Sequence, residues 1–94
     1  MIHELFKIIE DRKKKPQAGS YTNQLLDAGE DRVTQKFGEE AVELIIAANN
    51  QSSQRLVEET ADLLYHLLVL LAYKDINLTE IEEELKMRHR DADK

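Results

Sequence analysis

"LLYHLLVLLAY", residues 63–73, is apolar on nearly every side of a helical wheel, and only His66 interrupts it. At about 100° per residue, such a helix has no broad polar face to give to water and must be covered all round. The other segments of the chain read as four further short helices, which are too little to cover it alone. The expected fold is therefore all-α, a bundle of four to five helices, dimerising around this helix.

Working outward, Ser52 or Ser53 starts this helix and Tyr73 ends it. "KDIN" (74–77) makes a turn, and Thr79 with Glu82 is the expected capping box of a last helix running to about His89. On the other side, Asn49-Asn50 closes a helix running from about Asp31 to Ala48. A loop of about four residues makes these two helices antiparallel neighbours. Val33, Phe37, Ala41, Leu44, Ile45 and Ala48 form the apolar stripe of the earlier one, flanked by Val42 and Ile46. "SYTNQLLDAG" (20–29) holds a short helix started by Ser20 or Thr22 and stopped by Gly29. Ile2, Leu5, Phe6 and Ile9 give residues 2–15 helical spacing, and Pro16 and Gly19 end that segment. No alternating strand pattern of useful length occurs. Residues 1–94 read as a single domain.

Composition narrows the chemistry. The chain of 94 residues has no cysteine, which removes disulfides, thiolate metal sites and a cysteine nucleophile. That suits a reducing compartment. The amino terminus lacks the order of a signal peptide, and residues 63–73 fall short of the roughly 20 needed to span a bilayer. The expectation is a cytoplasmic protein with no membrane partner. A net charge of −6 argues against nucleic acid, because neutralising phosphates needs surplus Lys and Arg. The basic run "RKKK" (12–15), with Lys13 in it, is either a solvated surface or part of a site for an anionic small molecule.

"KFGEEAVELIIAANN" (36–50) carries a wedge of three acids beside its apolar stripe: Glu39, Glu40 and Glu43 share a sector with Arg32 and Lys36. The following helix has a matching wedge of Glu58, Glu59, Asp62 and His66, with Arg55 among them. Glu40 and Glu43 are three apart, as are Glu59 and Asp62, and residues at that spacing are surface neighbours. With both wedges turned inward, four carboxylates converge. Alone, like charges repel, and desolvation steepens the cost. A hard divalent cation reverses the sign, and Mg²⁺ prefers oxygen ligands completed by water and phosphate. The competing reading is a pair of solvated acidic faces. Di-iron sites want Glu-x-x-His, whereas Asp62 follows Glu59 by three and Tyr65 follows Asp62 by three. His66 reads as a core or interface histidine, and the glutamates at 80–84 as a solvated face.

"KFGEEAVELIIAA" followed by "EETADLLYHLLVLLA" resembles the phosphoribosyl-ATP pyrophosphatase family of histidine biosynthesis. "SYTNQLLDAGEDRV" is similar to that family's Ser-Tyr-Thr-x-x-Leu segment, and "RH" at 88–89 to its usual ending. The two acidic pairs are shared more widely, by the MazG-like all-α nucleotide pyrophosphohydrolases. "SYT", "GEEAVE" and "ADLLYHLLVLL" are the more specific features, and the likeness covers nearly the whole chain. Phe37 departs from it, standing where a smaller aliphatic residue is expected.

The resemblance implies Mg²⁺-dependent hydrolysis of phosphoribosyl-ATP to phosphoribosyl-AMP and pyrophosphate, in a single-function all-α homodimer. By motif match it implies Glu40, Glu43, Glu59 and Asp62 as metal ligands. Glu39 matches the first acid, and would orient or deprotonate the attacking water. Lys36, Arg32 and Lys13 are candidates to hold the outer phosphates, and Ser20, Tyr21 and Thr22 to line the nucleotide or ribose pocket. Simple charge compensation for the two cations, and a helix start for "SYT", are the alternatives. Two other functions stay open: a MazG-like pyrophosphohydrolase of another nucleoside triphosphate, and a non-catalytic metal-binding helical dimer.

Overall fold

A computed structural model describes residues 1–89 as five helices, and no strand occurs among the described residues. They are α1 (Ile2–Lys14), α2 (Tyr21–Ala28), α3 (Glu30–Asn50), α4 (Ser53–Tyr73) and α5 (Leu78–Arg88). The expected all-α architecture is therefore present. α3 and α4 make the most extensive contact, and α1 and α2 pack against this pair.

The α3–α4 hairpin has a seam. On α3, Val33, Phe37, Glu40, Leu44 and Ala47 recur at alternating spacings of four and three, and each is buried or half-buried. On α4, Leu56, Glu59, Leu63, His66, Leu70 and Tyr73 do the same. That repeat is the one that keeps two helices in contact along their length. Two acids, Glu40 and Glu59, occupy seam positions where a packed hairpin would otherwise place apolar residues. The other face of α4 supplies Leu68, Val69, Leu71 and Ala72 to a core shared with Phe6, Ile9, Leu25 and Val33.

The stripe expected on α3 is rotated in the structure. Ala47 is buried at 1 % exposure, whereas Ile45 is 60 % exposed and Ala48 is exposed too. The seam repeat selects one edge of a broad apolar arc, and residues counted from its middle turn outward. α4 is likewise not fully covered, since Leu64 is 39 % exposed.

Caps refine the boundaries. Ser20 caps α2, accepting from the Asn23 amide at 3.2 Å, and Ser52 caps α4, accepting from the Arg55 amide at 3.2 Å. α3 runs through Asn49-Asn50, whose first side chain donates back to the Ile45 carbonyl at 2.8 Å. Only Gln51 and Ser52 separate α3 from α4, fewer than expected. The expected Thr79–Glu82 capping box is replaced by one built two residues earlier. Asn77 Oδ1 accepts from the Thr79 amide at 2.9 Å, and Glu80 Oε2 accepts from the Asn77 amide at 2.8 Å. Asn caps as well as Ser or Thr does, and an earlier Asn starts the helix first.

The end of α4 is closed by a Schellman arrangement, with the Ile76 amide donating to Leu71 O (2.9 Å) and the Asp75 amide to Ala72 O (3.1 Å). Asp75 takes the left-handed conformation there, at φ 59°, in place of the usual glycine. No helix among the described residues is long and apolar enough to cross a membrane.

Candidate active site

The hairpin seam brings three acids together. Glu40 from α3 and Glu59 and Asp62 from α4 each offer a carboxylate oxygen, and these oxygens lie within 4.8 Å of one another. Glu59 is 5 % exposed, Glu40 is half-buried and Asp62 lies at the open side. Antiparallel pairing of α3 and α4 causes this convergence, since each helix contributes from the turn where the two cross the seam.

Two cations border the cluster. Lys36 Nζ lies 3.5 Å from Glu40 and 3.5 Å from Glu39, one turn away along α3. Burial lowers the Lys36 ammonium, but its interactions with the Tyr21 phenol (charged only at high pH) and with the Glu40 and Glu39 carboxylates outweigh it and hold it above its ordinary value. Arg55 reaches along α4 to donate to Glu58 and to Glu59 Oε1. The Glu58 carboxyl is held below its ordinary range by hydrogen bonds from Gln54 and then from Arg55. Sequence reasoning placed Arg55 in the acidic sector without giving it a role; its spacings of three and four to Glu58 and Glu59 were the available signal.

The other oxygen of Glu59 decides whether a cation fits. Glu59 Oε2 is buried and has no hydrogen-bond partner, the one such side-chain atom among the described residues. A buried, charged oxygen left unpaired is costly. The Glu40 and Asp62 carboxylates converge with that of Glu59, so the donor set is all hard oxygen, as Mg²⁺ or a similar ion requires.

The structure treats the remaining candidates differently. Glu39 is about half exposed and accepts from Gln35 Nε2 at 3.1 Å, beside Lys36 at the rim. Glu43 is exposed and stands outside the three-acid group. Arg32 is exposed on α3, one turn before Lys36. Lys13 is held elsewhere: its ammonium donates to Ala72 O (3.0 Å), Tyr73 O (3.3 Å) and Asp75 Oδ1 (2.6 Å) at the end of α4. At 1.5 Å per residue, that is about 16 Å along the helix from Asp62.

"SYT" divides by residue. The Ser20 hydroxyl serves as the α2 cap, and Thr22 Oγ1 hydrogen-bonds the Tyr65 hydroxyl. Burial pushes the Tyr65 phenol above its ordinary value, against that hydrogen bond from Thr22, with a smaller upward push from Tyr21. Tyr21 is 46 % exposed, with its ring stacked on Tyr65 (centroids 6.2 Å, interplanar angle 26°) and its hydroxyl 3.2 Å from His66 Nε2. His66 Nδ1 lies 2.7 Å from the carbonyl oxygen of Asp62, which ties this aromatic group to the acidic cluster.

Comparison with known proteins places these features in context. The sequence profile of the family described as phosphoribosyl-ATP pyrophosphohydrolase matches residues 2–89. A protein of Clostridium botulinum named phosphoribosyl-ATP pyrophosphatase is 50 % identical over 88 residues, 94 % of this chain and 80 % of that protein. One of Bacillus cytotoxicus with the same name is 48 % identical, covering 94 % of this chain and 82 % of its own. One of Listeria monocytogenes, also so named, is 52 % identical over 94 % of this chain and 84 % of its own.

Proposed function

The chain belongs to the phosphoribosyl-ATP pyrophosphohydrolase family, and from that premise we propose how its own residues carry out the hydrolysis of phosphoribosyl-ATP to phosphoribosyl-AMP and pyrophosphate. The activity itself follows from the shared family and from relatives named for it at about half identity. The single observation that carries the residue assignment is the cluster of Glu40, Glu59 and Asp62 with its buried, unpartnered oxygen.

Glu40, Glu59 and Asp62 would hold Mg²⁺, with Glu43, the next acid along that face of α3, completing the four-carboxylate set. When bound, the ion supplies charge neutralisation and Lewis acidity at the phosphate oxygens. Arg55 steadies Glu59 through one oxygen, and the unpartnered other oxygen would be the one offered to the ion. Lys36 and Arg32, a turn apart on α3, lie where they can meet the phosphate charge that extends past the carboxylates. Lys36 must exchange its contacts with Glu39 and Glu40 for phosphate oxygens as substrate enters, which frees Glu39. Glu39 is then a rim carboxylate able to orient water and take its proton. Phosphoryl transfer relies on this kind of positioning and charge balance more than on covalent help from the protein.

The assembly that fits is a homodimer in the cytoplasm, with residues 1–94 as a single domain. Val42, Ile45 and Ile46 on α3, and Val57 and Leu64 on α4, remain exposed. So much apolar surface on one hairpin is the mark of an interface. Light scattering checks this: a mass near twice 10.9 kDa supports the dimer, and a mass of 10.9 kDa at working concentration overturns it.

The reaction is tested by measuring pyrophosphate release from phosphoribosyl-ATP, with Mg²⁺ and with a chelator, beside a panel of other nucleoside triphosphates. Mg²⁺-dependent turnover of phosphoribosyl-ATP, with ATP nearly inert, is the expected result. Preference for another triphosphate would keep the carboxylate site and remove the substrate assignment.

A further inference from the structure

His66 is 6 % exposed, yet both of its ring nitrogens are engaged. A carbonyl oxygen can only accept, so Nδ1, 2.7 Å from Asp62 O, carries the ring proton. In the neutral ring Nε2 is then an acceptor, and the Tyr21 hydroxyl, 3.2 Å away, donates to it. The phenol of Tyr21 is thereby tied to the backbone of a residue in the acidic cluster, through one imidazole.

The ring of Tyr21 is braced as well. It stacks on Tyr65, and it meets the edge of His66 at 6.0 Å and 78°. Tyr65 in turn is fixed by Thr22 and packs against His66 at 5.0 Å and 86°. Despite these contacts, Tyr21 keeps 46 % of its surface open. A tyrosine left free on the surface moves among its rotamers, and ordering it on binding costs affinity. Tyr21 has its hydroxyl anchored and its ring supported while part of its surface remains available, which is the arrangement of a pre-formed stacking surface.

We propose that His66 is a positioning residue for the substrate: it holds Tyr21 in place so that the exposed tyrosine ring stacks with the nucleotide base beside the carboxylate cluster. This rests on the reading of the cluster as a pyrophosphohydrolase site. His66 touches neither metal nor phosphate in this role. It acts through Tyr21, so its loss falls on substrate binding rather than on the chemical step.

The experiment is a set of kinetic comparisons on the full chain: Tyr21→Phe, His66→Leu, His66→Gln and the double variant Tyr21→Phe/His66→Leu. Losing one neutral hydrogen bond and the order it imposes should raise KM about fivefold in Tyr21→Phe and in His66→Leu, with a much smaller change in kcat. The double variant should be no worse than either single one, because both break the same link. Glutamine can present an amide oxygen to the Tyr21 hydroxyl, so His66→Gln should recover much of the KM.

An unmoved KM in His66→Leu, or effects that multiply in the double variant, would overturn the proposal. Should the leucine variant not fold, the comparison of Tyr21→Phe with His66→Gln alone and combined decides the same question. The imidazole ¹⁵N spectrum needs no substrate: it should show the proton on Nδ1 and a shift of Nε2 in Tyr21→Phe, and a proton on Nε2 refutes the link. Turnover of phosphoribosyl-ATP by the unmodified chain tests the functional reading, so the two ideas fail separately.

Discussion

The two halves of α4 solve opposite problems with one continuous helix. Its C-terminal half buries Leu68, Val69, Leu71 and Ala72, and every one of its last four carbonyls has a donor. Lys74, Ile76 and Asp75 amides serve Leu70, Leu71 and Ala72, and Lys13 serves Ala72 and Tyr73. Its N-terminal half instead puts Glu59 into the hairpin seam, with one oxygen unpartnered, and sets Asp62 and Glu40 against it. The first half is arranged for stability. The second keeps an electrostatic cost in the folded chain, which a bound cation would offset. On the proposed reading, the acidic cluster is held at the expense of local stability, and an adjoining apolar core supplies what it lacks.

The sharpest way to break this comparison is to remove one group from each half. Asp62→Asn or Glu59→Gln should lower Mg²⁺-dependent turnover by at least about 100-fold, the scale of losing a charge-stabilising group from an active site. In a chelator, thermal unfolding of Glu59→Gln should be unchanged or move upward, because a buried charge has gone. The rise in Tm on adding Mg²⁺, expected for the unmodified chain, should vanish. Leu68→Ala should do the reverse: a loss of about 2–5 kcal/mol from a fully packed position, with the Mg²⁺-induced rise retained. Near-normal turnover in Asp62→Asn, or a large destabilisation of Glu59→Gln in chelator, would erase the distinction between the halves.

What the sequence disclosed follows the same division. Helix number and order were legible, because Gly, Pro, Ser and Asn punctuate strong helical periods. Of the four acids expected to converge, Glu40, Glu59 and Asp62 do so, because antiparallel neighbours bring their acidic faces together; Glu43, spaced three from Glu40, stands outside the group. The rotation of α3 was not. Its apolar arc spans Ala41 to Ala48, and the four-three seam with α4 chooses Leu44 and Ala47 over Ile45 and Ala48. That choice belongs to the pair of helices and not to either sequence alone. The start of α5 was misjudged because Thr79 and Asn77 are both sound caps, and competition between them is settled by the turn that delivers the chain. The link from Tyr21 through His66 to Asp62 was out of reach, because a contact 45 residues apart leaves no local period. His66 itself fits its reading as a buried histidine, with a partner on each nitrogen added.

Lys13 gives the smallest effect and separates the two readings of the basic run. If its contacts at the end of α4 define its role, Lys13→Met removes charge-assisted hydrogen bonds to two carbonyls and to Asp75. Such bonds are worth more than neutral ones, but this ammonium is about a third exposed, so solvent discounts the gain. A loss of about 1 kcal/mol is expected, or roughly 5 °C in Tm for a domain of this size, with KM for phosphoribosyl-ATP unmoved. Lys14→Met, on the exposed side of the same turn, should stay within about 0.5 kcal/mol of the unmodified chain. The opposite pattern, a raised KM with an unchanged Tm, would return Lys13 to the substrate. It would also mean that the C-terminal half of α4 is not purely structural, and the contrast between the halves would weaken accordingly. The present contacts favour the first outcome, since a lysine already satisfied by three oxygens gains little by reaching for a fourth.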